Sequence, residues 1–169
     1  FFTREGLVSV DPATGKVRFS HHWRPAMRAS VNACTPVILG DLVFASTSYG
    51  KGATLLAIDG AELKTMWAND TSMSCHYSSC VMNNGLLFGF HGRQERGANL
   101  RCIKLSDGEV QWTQSIGNGH LICVGEQILC LSENGEFTVF DASPVAFKAL
   151  LQQQVLGQGR AHFAYSNGN

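Results

Sequence analysis

Charge is scarce in this sequence and balanced. Of its 169 residues only 15% are charged, 13 acidic against 13 basic, so the formal net charge at pH 7 is zero. Without a basic excess the chain has no electrostatic footprint for a phosphate backbone, and nucleic acid is excluded as a main partner. Long apolar runs are also missing. Runs such as Val37–Leu39 and Leu42–Ala45 are strand-length and split by a turn. A membrane helix needs ~20 apolar residues, so no membrane span is predicted. None of the six cysteines stands in a C-x-x-C pair, and there is no G-x-S-x-G, phosphate-binding loop, H-E-x-x-H or calcium loop. Neither an initiator methionine nor a leader is present, and both ends cut through a repeat, so the sequence reads as a piece of a longer protein.

What is present is a packed-domain composition, 44% hydrophobic, and a turn that comes back four times. It stands at Gly40-Asp41, Asn84-Gly85, Gly125-Glu126 and Asn167-Gly168, at spacings of 44, 41 and 42 residues. Between these turns a second mark recurs: LVSVDPATGKVRF from Leu7, LLAIDGAELKTMW from Leu55 and LRCIKLSDGEVQW from Leu100. Short alternating strands at a period of about 40 to 45 residues are the signature of propeller blades. The predicted fold is all-β, about half of a seven- or eight-bladed β-propeller of four-stranded antiparallel blades. The alternative is a two-sheet sandwich, and the regular recurrence favours the propeller. Residues 1–22 read as half a blade, 31–70, 75–115 and 118–157 as blades, and 158–169 as the start of the next. The fourth unit departs from the pattern after Asp141. There Ser143 and Pro144 suit an N-cap and a first helical position, so a helical turn is expected, then a strand over Gln153–Leu156.

The second mark idealises to A-x-D-x-x-T-G-x-x-x-W. It stands here as Val10, Asp11, Thr14, Gly15 and Phe19, then as Ala57, Asp59 and Trp67. The third copy has Asp107-Gly108 and Trp112, with Lys104 where Asp is usual. This resembles the pyrroloquinoline-quinone-like (PQQ-like) propeller repeat, found in quinoprotein dehydrogenases and in a bacterial outer-membrane assembly lipoprotein. VNACTPVILGDLVF, HYSSCVMNNGLLFGFHG and DASPVAFKALLQQQVL look like one branch of these secreted bacterial propellers. The resemblance implies a periplasmic or secreted location but no particular activity. In the motif the Asp bonds its own loop and the Gly takes positive φ. Phe19, Trp67 and Trp112 are then staples that fill the wedge between blades. The dehydrogenases of the family use adjacent cysteines, a stacking Trp, a calcium shell and an Asp base. This chain has no Cys-Cys and keeps its acids in turns, so it supports no PQQ or other cofactor. The expected function is a non-enzymatic binding or scaffold propeller, with an unidentified protein or carbohydrate as partner. The alternative is a fragment of a PQQ-dependent dehydrogenase whose cofactor shell lies partly outside this chain.

Aligned on the repeated turn, equivalent positions carry unlike residues. Five before the turn stand Thr35, Ser79, His120 and His162; eight before stand Asn32, His76, Gly117 and Gly159. These precede the innermost strands, at the mouth of a propeller channel. The candidate ligand-binding set is therefore Asn32, His76, Ser79, His120, Arg160 and His162, with Asn118 beside them. The imidazoles should make binding vary between about pH 5.5 and 7.5, and Arg160 should favour a carboxylate, phosphate or sulfate. The histidine spacings follow the blade period and His76 is out of register with the other two, so no metal site is predicted. Cys75-His76 is not a catalytic pair, because neighbours on a strand face opposite ways. Cys102, Cys123 and Cys130 fall inside apolar strands as free buried thiols, whereas Cys75 and Cys80, flanking a histidine, are expected to be more accessible. The loop from His91 to Arg101, with Arg93, Glu95, Arg96 and Arg101, reads as a solvated face or an anionic or protein-partner contact.

Overall fold

The computed structural model describes residues 1–60 and 62–167. Gly168 and Asn169, including the second residue of the fourth recurring turn, lie outside the described residues, as does Ala61. The chain forms four consecutive antiparallel sheets. The first holds β1 (Phe2–Thr3), β2 (Gly6–Val10) and β3 (Val17–His22), in that order. The second holds β4 (Val37–Leu39), β5 (Leu42–Thr47), β6 (Gly52–Asp59) and β7 (Glu62–Asn69). The third holds β8 (Val81–Asn83), β9 (Leu86–His91), β10 (Asn99–Lys104) and β11 (Val110–Gln114). The fourth holds β12 (Gly119–Val124), β13 (Gln127–Ser132), β14 (Glu136–Asp141) and β15 (Ala149–Gln154). Among the described residues helix is confined to a 3-10 turn at Gln94–Arg96. The architecture is that of a partial β-propeller, and the first unit has three strands rather than two.

The recurring turn has a backbone reason. Its first residue sits at positive φ each time: Gly40 at 55°, Asn84 at 46°, Gly125 at 57° and Asn167 at 50°. Glycine and asparagine are the residues that tolerate this region. The carbonyl of the second turn residue then accepts an N–H at or just past the end of the third strand. Ile58 donates to Asp41 (2.7 Å), Leu105 to Gly85 (2.9 Å) and Ala142 to Glu126 (2.9 Å). The motif aspartate works as expected at Asp11, whose Oδ1 accepts from the N–H groups of Ala13 (3.0 Å) and Thr14 (2.9 Å). Arg18, 2.7 Å from its other oxygen, and the Thr14 N–H hold the Asp11 carboxyl down at about 2.

The core lies between sheets. Alternation along β9 turns Leu87 toward the second sheet and Phe88 and Phe90 toward the fourth. The third interface, between the first two sheets, is smaller and holds Leu7, Val43, Ala45 and Leu56. A bulge marks the outer pair of strands in every sheet, leaving Arg18, Met66, Gln111 and Leu150 without a cross-strand partner. The next residue in each case is Phe19, Trp67, Trp112 or Leu151, and the bulge turns the first three toward the sheet that follows. Trp67 packs on Phe44 and donates its indole N–H to the carbonyl of Leu105 in the third sheet (2.9 Å). Trp112 packs among Phe88, Phe140 and Phe147 and donates to the Ser143 carbonyl in the fourth (2.8 Å). Phe19, at the same register, borders an open cleft of about 590 Å³ between the first two sheets. Leu151 and its neighbour Leu150 are exposed.

Three expectations are corrected. No helical turn forms after Ser143. The Ser143 carbonyl is taken by Trp112, its Oγ accepts the Val145 N–H (3.2 Å), and Phe147 is drawn onto Phe140. The strand that follows is Ala149–Gln154, earlier than predicted. Cys75 and Cys80 are buried, not accessible, and lie in a loop rather than on a strand. The inner strands β4 and β8 begin only at Val37 and Val81, because the residues before them tie one sheet to the next. Thr35 N–H donates to Ser79 Oγ (2.8 Å) and Cys34 Sγ to the Ser78 carbonyl (3.2 Å), each joining residues one repeat apart.

Trp112→Ala should therefore destabilise the full chain by about 3 kcal/mol, as for other aromatic truncations in a packed interface. Phe19→Ala should cost less than half as much, because its ring faces the open cleft. Urea denaturation of the two variants checks this, and equal losses would contradict it.

Candidate functional site

At one end of the sheets, the loop between β7 and β8 is pinned from both sides. The Ser74 carbonyl accepts from Gly92 N–H (2.9 Å) and Ser48 Oγ (2.9 Å), and Cys75 N–H donates to Ser46 Oγ (3.0 Å). This fixes the next residue, His76, which is only 5% exposed. Its Nδ1 accepts the Gln94 N–H at 3.3 Å, which leaves the proton on Nε2, 2.7 Å from the Tyr49 hydroxyl. Tyr77 lies against the His76 ring at 3.8 Å, Tyr49 meets it edge-on at 5.2 Å, and the Arg93 guanidinium sits 4.7 Å from the centre of the Tyr49 ring. Burial holds the His76 imidazole below its ordinary value, aided by Arg93 and opposed by the Glu95 carboxylate 3.3 Å from Nδ1.

The facing wall is a hydrogen-bonded network. Gln94 Nε2 donates to both carboxylate oxygens of Glu133 (2.7 and 2.6 Å), and Arg160 Nε lies 3.6 Å from the same carboxylate. Asn118 accepts the Ala98 N–H (3.2 Å) and donates to the Gln94 carbonyl (3.1 Å). His120, on β12, completes this wall, and its ring lies against His162, tilted by 38° with centres 3.6 Å apart. Burial and the neighbouring His162 push the His120 imidazole down, while the Arg160 carbonyl and Glu133 pull it up. Between the walls, over Phe90 and Ala98, lies a cavity of about 290 Å³.

The sequence candidates thus divide. His76, His120, Arg160 and Asn118 line one pocket, and His162 supports it from behind His120. Ser79 is placed elsewhere, as the acceptor of the tie from Thr35. Asn32 lines the cleft between the first two sheets, where its Nδ2 donates to the carbonyls of Thr3 (2.9 Å) and Trp23 (2.9 Å). Tyr77, Gln94 and Glu133 were not anticipated. The signal for Gln94 was the β9–β10 connection, longer and more charged than its counterparts. Glu133 opens a tight turn at Glu133-Asn134-Gly135, and nothing in that pattern announces an inward carboxylate. Among the described residues no group of three or more His, Cys, Asp or Glu is placed to hold a metal ion.

Residues 1–114 match the sequence profile of the family described as the outer membrane protein assembly factor BamB, and the chain belongs to that family. No curated protein matches the sequence significantly. Among solved structures, BamB from Moraxella catarrhalis is similar at 17% identity and TM-score 0.59, over 90% of this chain and 48% of its own. Quinohemoprotein alcohol dehydrogenase from Comamonas testosteroni is similar at 13% identity and TM-score 0.61, over 86% of this chain and 31% of its own. The computationally designed Ika8 protein reaches TM-score 0.62 at 10% identity, over 98% of this chain and 48% of its own. The chain spans half or less of each of these propellers.

The partly buried imidazoles set a pH dependence of stability. His21, His76, His91 and His120 all lie below their ordinary value of 6.5, with burial as the first cause in each. The unfolded chain then binds protons first as pH falls below about 6.5, so folding stability present above that pH is lost on acidification. The urea midpoint should fall between pH 7.5 and 5.5. A midpoint that stays constant or rises over this range would contradict the assignment.

Proposed function

We propose that this chain is part of an extracytoplasmic scaffold propeller that binds a protein partner at the pocket between His76 and Glu133. One observation carries this reading. Tyr77 is 47% exposed at the pocket rim while its ring rests on the buried, hydrogen-bonded His76. An exposed aromatic on a rigid support, in a pocket that also presents the largely exposed Arg160, has the character of a binding hot spot. The family's description as an assembly factor and the lack of charge excess fit a partner that is itself a folded protein. Arg160 faces Glu133, so the pocket's charges offset one another, and the anion preference expected from Arg160 alone is weakened.

The runner-up reading, a quinone-dependent dehydrogenase, is served poorly by the residues here. Trp67 and Trp112 have their rings packed between sheets and their N–H groups committed to backbone carbonyls. Trp23 is buried beside His21 with Lys51 over its ring. None of the three is presented to stack on a planar cofactor.

A photo-crosslinking residue at Tyr77 of the full-length protein should capture one discrete protein in its native cell. His120→Ala with Arg160→Ala should reduce that adduct at least about tenfold, the effect of losing roughly 1.4 kcal/mol. Equal adducts from a crosslinker at Met66, on the outer edge, would overturn the site. Dye reduction after reconstitution with pyrroloquinoline quinone and calcium would decide for the enzyme.

A further inference from the structure

The interface between the second and third sheets contains a feature that the scaffold reading does not use. Three thiols converge there, Cys34, Cys75 and Cys80, all free and buried. Cys75 Sγ and Cys80 Sγ are 3.3 Å apart. A disulfide bond is about 2.05 Å long, so closing one requires a movement of only about 1.2 Å. The segment between the two cysteines carries His76 and Tyr77, which line the pocket, and Ser78 and Ser79, which tie the third sheet to its neighbours on either side.

We infer that Cys75 and Cys80 form a disulfide that locks the His76–Ser79 loop in the shape the pocket requires. In the finished interface Cys75 is the one of the three thiols whose ionisation is favoured. Hydrogen bonds from Cys34 and Cys80 and one involving Ser46 hold its ionisation well below the ordinary range, while Cys34 and Cys80 are pushed up. The thiolate is the attacking form in exchange chemistry. With a small-molecule disulfide such as oxidised glutathione as oxidant, the Cys75 thiolate attacks one glutathione sulfur and expels the other as thiolate. Cys80 then gives up its proton, attacks the Cys75 sulfur of the mixed disulfide and expels the second glutathione. Two protein thiols are oxidised, one glutathione disulfide is reduced to two thiols, and the two cysteine protons end on glutathione. Because both sulfurs are buried in the finished interface, the exchange belongs to folding, before the third sheet docks on the second, or to opening of this loop. The bond rests on the geometry of the pair. Its presence in the cell rests in addition on the extracytoplasmic location proposed above, where thiols are not held reduced.

Tryptic mapping separates the outcomes, because no Lys or Arg lies from Thr65 to Gly92 or from Ala29 to Gly50. The full-length protein is refolded in a glutathione redox buffer, free thiols are alkylated, and the digest is weighed. The expected product is the Thr65–Arg93 peptide, unalkylated and lighter by two hydrogen atoms. Both cysteines alkylated in that peptide, or a crosslink from Cys34 in Ala29–Lys51, would overturn the pairing. Cys34→Ala should leave the bond intact. Reduction should raise amide exchange over 76–79 about tenfold, and unchanged exchange would overturn the locking role. The same digest of protein taken directly from cells tests the location: a bond formed in the buffer but missing in the cell would count against the compartment and not against the geometry.

Discussion

Each sheet in this molecule depends on the wedge of side chains between it and the next. Among the described residues none of the buried clusters lies within one sheet; each spans two, so a unit without its neighbour lacks the core these clusters form. The device that builds the wedge is local. A bulge in the outer pair of strands breaks the alternation and turns one side chain across the gap. Where that side chain is an indole, its N–H finds a carbonyl in the next sheet, so a large apolar surface is buried without an unsatisfied donor. Where it is Phe19, the gap stays open, and where it is Leu151, the flank stays exposed.

The inner ends are held differently. There the contacts are polar and join residues one repeat apart. Asn83 Nδ2 reaches the Gly125 carbonyl, Ser78 Oγ the Gly119 carbonyl, and Ser79 Oγ takes the Thr35 N–H. The pocket sits inside this lattice of ties, which is why a loop residue such as His76 is buried and positioned as firmly as a strand residue. Its polar character has the same origin: backbone groups freed where strands end must be satisfied by side chains.

What was legible in the sequence follows from these constraints. The turn was legible because positive φ admits few residue types, and Gly40, Asn84, Gly125 and Asn167 are each glycine or asparagine. The role of Trp67 and Trp112 was legible because the motif carrying them repeats. His76, His120 and Arg160 stood out as unlike residues at like positions. Tyr77 was passed over although it stands seven residues before its turn, as Asn118 and Arg160 do, whereas Gln94 and Glu133 depend on the path of loops with no periodicity to read. Ser79 and Asn32 were grouped with the histidines on register alone, yet their side chains are placed on backbone groups away from that pocket. Ser143-Pro144 has the residues of a helix start, but the interface claims its carbonyl and Phe147, and tertiary packing overrides local preference.

The most direct test of the wedge lies at Gly108, which has φ of 75° and faces the Trp67 ring across the interface between the second and third sheets. A Cβ there would lie 3.1 Å from two ring carbons of Trp67 and 2.7 Å from Ser72 Oγ. A double-mutant cycle of Gly108→Ala and Trp67→Phe in the full chain, read by urea denaturation, measures whether the two act through one contact. Coupling of about 1 kcal/mol, with the double variant less destabilised than the sum of the singles, is the predicted result. Strict additivity would show that Gly108 answers only to its own backbone and that the indole does not set the spacing between sheets.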